Sequence, residues 1–147
     1  MPAETEPASR LVVDSSFIVR FLVEDPDSNY AVLWRRWEDH DATIYAPALA
    51  KYEVTNALWK HERSRELSAE AVTDSVLRLN ALPIELVDFG ELHLHALQVA
   101  RWFNQRRAYD SHFVALAQLL GCDLWTADKR LRNAVGHHLP WVRLVDE

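Results

Sequence analysis

Leu11-Val12-Val13-Asp14-Ser15-Ser16-Phe17-Ile18 changes its period in the middle, and the fold follows from that change. Three apolar, mostly β-branched residues read as a short buried strand. Ser15 and Ser16 then offer capping oxygens, and Phe17, Ile18, Phe21 and Leu22 recur at helical spacing. A strand that feeds directly into a helix is the first half of a βαβ unit, and an acid, Asp14, stands at the junction.

Outward from there the pattern repeats. After Asp25-Pro26-Asp27, residues 28–40 place Tyr30, Leu33, Trp34 and Trp37 on one face and Arg35, Arg36, Glu38 and Asp39 on the other, an amphipathic helix. Residues 43–46 read as a second strand ended by Pro47, and residues 52–62 resume helical periodicity through Val54, Leu58 and Trp59. Ser68 caps a further expected helix that runs to Asn80. Pro83 introduces a third strand over 84–87, and a long helical stretch follows to Trp102. Residues 109–120 form the clearest buried helix, stopped by Gly121. Residues 122–126 read as a fourth strand, 128–135 as a short helix and 141–145 as a fifth strand. Short apolar strands alternating with helices predict right-handed crossovers. The fold class is α/β: one domain with a parallel sheet of about five strands, flanked by helices on both faces.

Composition narrows the function. With 147 residues, 49% of them hydrophobic, the chain suits a single domain with a substantial core. Asp and Glu outnumber Lys and Arg by 22 to 16, which argues against nucleic-acid binding through a broad basic surface. Carboxylates that hold divalent cations reverse the sign of their own pocket, so nucleic acid is not excluded. The single cysteine, Cys122, rules out an internal disulfide. Residues 1–9, rich in Pro, Ala and Glu, read as a short disordered leader without a secretory core, and no apolar run approaches a membrane span. The expected compartment is the cytoplasm.

In an open parallel sheet, ligands gather at the carboxyl ends of strands. Four acids meet that condition: Asp14 after the first strand, Glu53 in the first turn of the helix after the second, Asp128 after the fourth, and Asp110 at the start of the 109–120 helix. Each taken alone is equally a helix-terminus acid worth roughly 0.3–1 kcal/mol through the helix dipole. Taken together they would repel one another without a cation, an arrangement that function explains better than stability. Hard cations such as Mg²⁺ suit oxygen donors from separate elements. Zinc is disfavoured: Cys122 has no partner, His93 and His95 point apart on a helix, and His137-His138 falls in a loop; His112, beside Asp110, is the histidine to watch. No Gly-x-Ser-x-Gly elbow supports a serine hydrolase, and Ser16 stands where an aspartate-based phosphatase needs a second Asp. The tryptophans read mainly as core or interface, and the three arginines of 101–107 as a solvated helix face or a phosphate contact.

Four segments carry a resemblance: Val12-Val13-Asp14-Ser15-Ser16; Pro47-Ala48-Leu49 leading to Glu53 and Asn56; Tyr109-Asp110-Ser111-His112-Phe113-Val114-Ala115-Leu116-Ala117; and Thr126-Ala127-Asp128-Lys129-Arg130-Leu131. In order and spacing the chain resembles the PIN-domain ribonucleases, and among them the small VapC-type toxins of toxin–antitoxin pairs. The resemblance implies a PIN-like nuclease domain over 10–147 and Asp14, Glu53, Asp110 and Asp128 as metal-binding and catalytic acids. It also implies Ser16, Asn56 and Thr126 as supporting polar groups, Mg²⁺ or Mn²⁺ as cofactor and RNA as substrate. A homodimer and an antitoxin partner that blocks the acidic pocket complete the expectation. The apolar face bearing Trp34 and Trp37 is the expected dimer surface. The rival reading is a PIN-like dimeric interaction module without catalysis, presenting the 28–40 helix to a partner.

Overall fold

The structure, a computed structural model, describes residues 8–146. Of the leader expected over 1–9, residues 1–7 lie outside the described residues. Ser9 is already tied to the sheet, its carbonyl accepting from Thr43 N at 2.9 Å.

The chain opens with β1 (Arg10–Val13), α1 (Ser15–Val23), α2 (Asn29–Asp39), β2 (Thr43–Pro47), α3 (Leu49–Arg63) and α4 (Ala69–Ala81). It continues with β3 (Ile84–Val87), α5 (Gly90–Trp102), α6 (Tyr109–Leu120), β4 (Asp123–Thr126), α7 (Lys129–Val135) and β5 (Val142–Leu144). The five strands form one sheet in the order β3-β2-β1-β4-β5, with every neighbouring pair parallel. Successive strand residues face opposite sides, and Leu11, Val12 and Val13 are all fully buried, so both faces of the central strand are covered. The α/β class, the five parallel strands and the flanking helices are as expected from the periodicity.

The strand order also fixes where a ligand goes. The chain lays β2 and β3 to one side of β1, then returns to place β4 on the other side. The turn of direction between β1 and β4 is the switch point at which doubly wound sheets open a crevice beyond their carboxyl ends.

Three local expectations need correction. First, α3 begins at Leu49, three residues earlier than its apolar spacing indicated, so Glu53 sits in the second turn and not the first. The reason is tertiary: Ala48 has no side chain that could cap the helix and adopts helical angles, with its own N–H held by Val87 O of β3 at 2.9 Å. Second, the arginines of 101–107 do not share a helix face. The helix α5 ends at Trp102, Asn104 turns left-handed at φ 49°, and Arg107 belongs to the connection into α6. Third, Trp34 and Trp37 are not a docking surface. They are 3% and 5% exposed, and their rings pack against Phe17, with Trp34 also stacked on Phe21 at 4.5 Å and Trp37 against Trp125 at 5.9 Å. The amphipathic face of α2 is satisfied by the chain's own core. Trp59 and Trp102 are the tryptophans that stay open to solvent.

Candidate active site

The pairing of β1 with β4 builds the first half of the site. Val13 lies opposite Trp125, and Asp14 N donates to Trp125 O at 3.2 Å, which sets Asp14 beside Thr126 at the carboxyl ends of both strands. Asp14 then caps α1: its Oδ1 accepts from Phe17 N at 2.9 Å, satisfying a donor that the helix start leaves free. Ser16 Oγ donates to the same oxygen at 2.6 Å, and Thr126 Oγ1 donates to Oδ2. Both hydroxyl protons are thereby committed to one carboxylate, so the 3.2 Å approach of Ser16 Oγ to Thr126 Oγ1 carries none. As acceptors the two hydroxyls hold the next strand end. Ser16 Oγ takes Ala127 N at 3.0 Å, and Thr126 Oγ1 takes Asp128 N at 2.9 Å. Asp128 in turn caps α7, its Oδ1 accepting from Arg130 N and Leu131 N. The bland and the functional readings of Asp14 and Asp128 are thus compatible, since both are helix caps at the switch point.

Burial governs the charge of Asp14. Desolvation pushes its carboxyl from 3.8 up to about 6, against the three hydrogen bonds from Ser16, Thr126 and Phe17 that favour the anion; the charge of Asp110 adds to the rise.

The second half comes from α3 and α6. Glu53 Oε1 accepts from Ser15 Oγ at 3.0 Å; partial burial raises its carboxyl, Ser15 opposes that, and Asp110 raises it further. Asp110 lies at the surface of the first turn of α6. Its carboxyl is also raised, first by desolvation and then by Asp128, with Arg130 opposing. Asp110 is therefore the acid felt by both Asp14 and Glu53, and it in turn feels Asp128. Asn56, one turn of α3 beyond Glu53, shares a cleft with it.

That cleft, of about 650 Å³, reaches the acids at Ser15, Ser16 and Glu53; Asp14, Asp110 and Asp128 lie outside its lining. Its other walls carry Arg20, Lys60 and Arg107 together with Tyr52 and Tyr109. Of these, sequence reasoning offered only Arg107, within the 101–107 arginines weighed as a phosphate contact; Arg20, Lys60, Tyr52 and Tyr109 were missed, along with the role of Ser15. Nothing in their spacing unites them, because they come from α1, α3, the α5–α6 connection and α6. Ser15 was legible only as a capping residue, and it is Asp14 that caps.

The donor set fits a hard cation in kind. Among the described residues Asp14 Oδ1 accepts two bonds and Oδ2 one, which leaves one of its four lone-pair sites, while Glu53 and Asp128 each keep one oxygen that accepts none. Among the described residues no three His, Cys, Asp or Glu side chains converge tightly enough to enclose an ion. Mg²⁺ tolerates this, because it keeps several waters and takes one or two carboxylates directly.

A family model described as PIN domain matches residues 11–136 of the chain. Ribonuclease VapC3 of Pyrobaculum aerophilum is 31% identical over 126 residues, covering 83% of this chain and 92% of that protein. Ribonuclease VapC3 of Mycobacterium tuberculosis is 30% identical over 132 residues, covering 88% and 90%. The crystal structure of PAE2754 from Pyrobaculum aerophilum superposes with a TM-score of 0.67 at 21% identity, covering 95% of this chain and 93% of that one, a likeness of fold. The motifs, the sheet order and these matches agree, and the chain belongs to the PIN domain family, within its VapC group.

Proposed function

We propose that this chain is a Mg²⁺- or Mn²⁺-dependent endoribonuclease and the toxin of a toxin–antitoxin pair. The observation that supports the reading best is Asp14: an acid sunk at the switch point, held by three donors, and coupled through Asp110 to two further acids. Asp14 and Asp128 each cap a helix, but capping does not account for Asp110 raising both Asp14 and Glu53, an arrangement that a bound cation explains better.

Asp14, Glu53, Asp110 and Asp128 are the residues that would hold the ion. When bound, it would lower the pKa of a coordinated water and offset charge on the phosphodiester. The remaining work falls to the chain. Ser16 and Thr126 fix both oxygens of Asp14 so that the carboxylate does not rotate, and Ser15 restrains Glu53. Lys60 and Arg107 supply positive charge for phosphates along the cleft, beside an Arg20 that is paired with Glu24, and Tyr52 and Tyr109 offer faces on which unpaired bases stack. The retained acids and their ordered support favour this reading over a PIN-like binding module. The relatives named Ribonuclease VapC3 support it as well.

The partner reading is a homodimer bound by an antitoxin in the cytoplasm. With α2 closed off, the apolar side chains left for partners include Tyr52 and Trp59 of α3 and Leu86 of β3. Among the described residues no helix is long and apolar enough to cross a membrane.

The deciding experiment is cleavage of mixed cellular RNA by the purified chain with Mg²⁺ or Mn²⁺, with EDTA, and with the Asp14→Asn variant alongside. Discrete fragments are expected from the parent, falling in the variant by more than the roughly 10- to 100-fold that supporting groups contribute. A folded Asp14→Asn protein that cuts at the parent rate overturns the assignment. A folded, metal-binding parent that cuts no RNA moves the weight to the binding module.

A further inference from the structure

Helix α1 lays one stripe of side chains along the candidate cleft. Ser15, Ser16, Val19 and Arg20 all line it, at the i, i+1, i+4 and i+5 spacing of a single helix face. Arg20 lies one turn beyond Ser16, roughly 6 Å along the axis from the residue whose hydroxyl holds Asp14. That is the scale of the step from one phosphate to the next along an unpaired strand.

Arg20 is held on two sides. Its Nε donates to Glu24 one turn further on, and its guanidinium carbon stands 5.2 Å from the centre of the Tyr30 ring. That ring is a firm platform, since Tyr30 is 1% exposed and meets Phe17 edge-on at 5.3 Å. A guanidinium carries five N–H donors in a fixed plane, and Glu24 takes the one on Nε. Among the described residues the four on Nη1 and Nη2 have no hydrogen-bond partner, and the side chain is 45% exposed in the cleft wall. Arg78 shows the contrast. It too rests on an aromatic ring, Phe21 at 6.0 Å, but gives Nη1 to the Leu22 carbonyl at 2.9 Å and so closes the end of α1.

We propose that Arg20 is a phosphate fork for RNA, its Nη1 and Nη2 donating side by side to the two free oxygens of the backbone phosphate adjoining the one that is cut. The inference rests on the nuclease reading for the identity of the strand. A planar guanidinium matches two phosphate oxygens in parallel, which an ammonium does not. Lys60 and Arg107 line the same cleft and bring charge from other segments. What Arg20 adds is register: Asp14 caps the helix that carries it, so the spacing between the buried acid and the fork is set by one rigid element.

The test measures binding of a short, fluorescently labelled single-stranded RNA to the full chain in EDTA, where the strand stays whole, over a series of salt concentrations. In Arg20→Gln the slope of log affinity against log salt should fall by about 0.7, one phosphate's worth for a single strand. Affinity should drop about tenfold, as loss of a charge-assisted hydrogen bond implies. Arg20→Lys should keep the slope yet bind several-fold more weakly than the parent, since it retains charge without the fork. Arg35→Gln, on the exposed side of α2, removes the same charge away from the cleft and should keep the parent slope. The Arg20–Glu24 pair is a surface one that adds little to stability, so these variants fold. No binding by the parent, an unchanged slope in Arg20→Gln, full affinity in Arg20→Lys, or an equal loss in Arg35→Gln overturns the fork. Cleavage in Mg²⁺ separates the two readings. A parent that cuts no RNA while the slope difference stands overturns the nuclease and keeps the fork. Where the parent cuts, Arg20→Gln should raise KM about tenfold and change kcat less than about twofold, and a fall in kcat at constant KM overturns the proposal.

Discussion

The two halves of the acidic edge are built differently. On the β1–β4 side, Asp14, Ser16, Thr126 and Asp128 interlock through hydrogen bonds that also cap two helices. On the α3–α6 side, Glu53 has one side-chain restraint, from Ser15, and Asp110 stands at the surface, linked to its neighbours by charge. The first half is part of the folding core, held by the chain's own hydrogen bonds. The second is poised mainly by repulsion, and it is the half that the proposed cation would change most.

The largest test of that contrast uses pH. The carboxyl of Asp14 rises from 3.8 to about 6 in the folded protein, so between those values the native state holds more proton than the unfolded chain. The stabilising contribution of the protonated form is fully present below 3.8 and gone above about 6. At about 1.4 kcal/mol per pH unit, metal-free parent protein should lose up to about 3 kcal/mol across that window relative to Asp14→Asn. Urea unfolding at a series of pH values checks it, and parallel curves for the two proteins would break the picture of a desolvated inner acid.

Next in size is Thr126→Val, which removes a donor from Asp14 and the acceptor of Asp128 N. It should cost about 2 kcal/mol, and Ser15→Ala, on the looser half, less than about 1 kcal/mol. Equal costs in thermal unfolding would erase the distinction between the halves. Smaller than the Thr126 effect is the response to metal. At tenfold excess over its Kd, Mg²⁺ should stabilise the parent by about 1.4 kcal/mol, an effect that Asp110→Asn reduces and EDTA removes. In EDTA the same variant should match or exceed the parent by under about 0.5 kcal/mol, since a surface repulsion is relieved. A variant that responds to Mg²⁺ as fully as the parent would take Asp110 out of the ion's surroundings.

How far the sequence could be read follows the same divide. Strand and helix periods located β1, α1, β4 and the clean helix α6, because there local pattern and tertiary packing agree. Asp14 and Asp128 were legible because an acid at a strand end is a local feature. The start of α3 was not, since a backbone bond to a strand almost forty residues away sets it. The Trp34 and Trp37 face was misjudged because periodicity marks an apolar stripe without saying whether the chain itself covers it. The meeting of His93 with His112 was equally invisible, as it depends on how α5 packs against α6.

Phe17 ties its backbone N–H to Asp14 and its ring to Trp34 and Trp37, and Trp37 reaches Trp125, the residue before Thr126. The chromophores of the core therefore end on both sides of the buried carboxylate. Any ion or proton that reaches Asp14 should alter tryptophan emission and near-ultraviolet dichroism, so the molecule carries an intrinsic, label-free optical gauge of its own site occupancy.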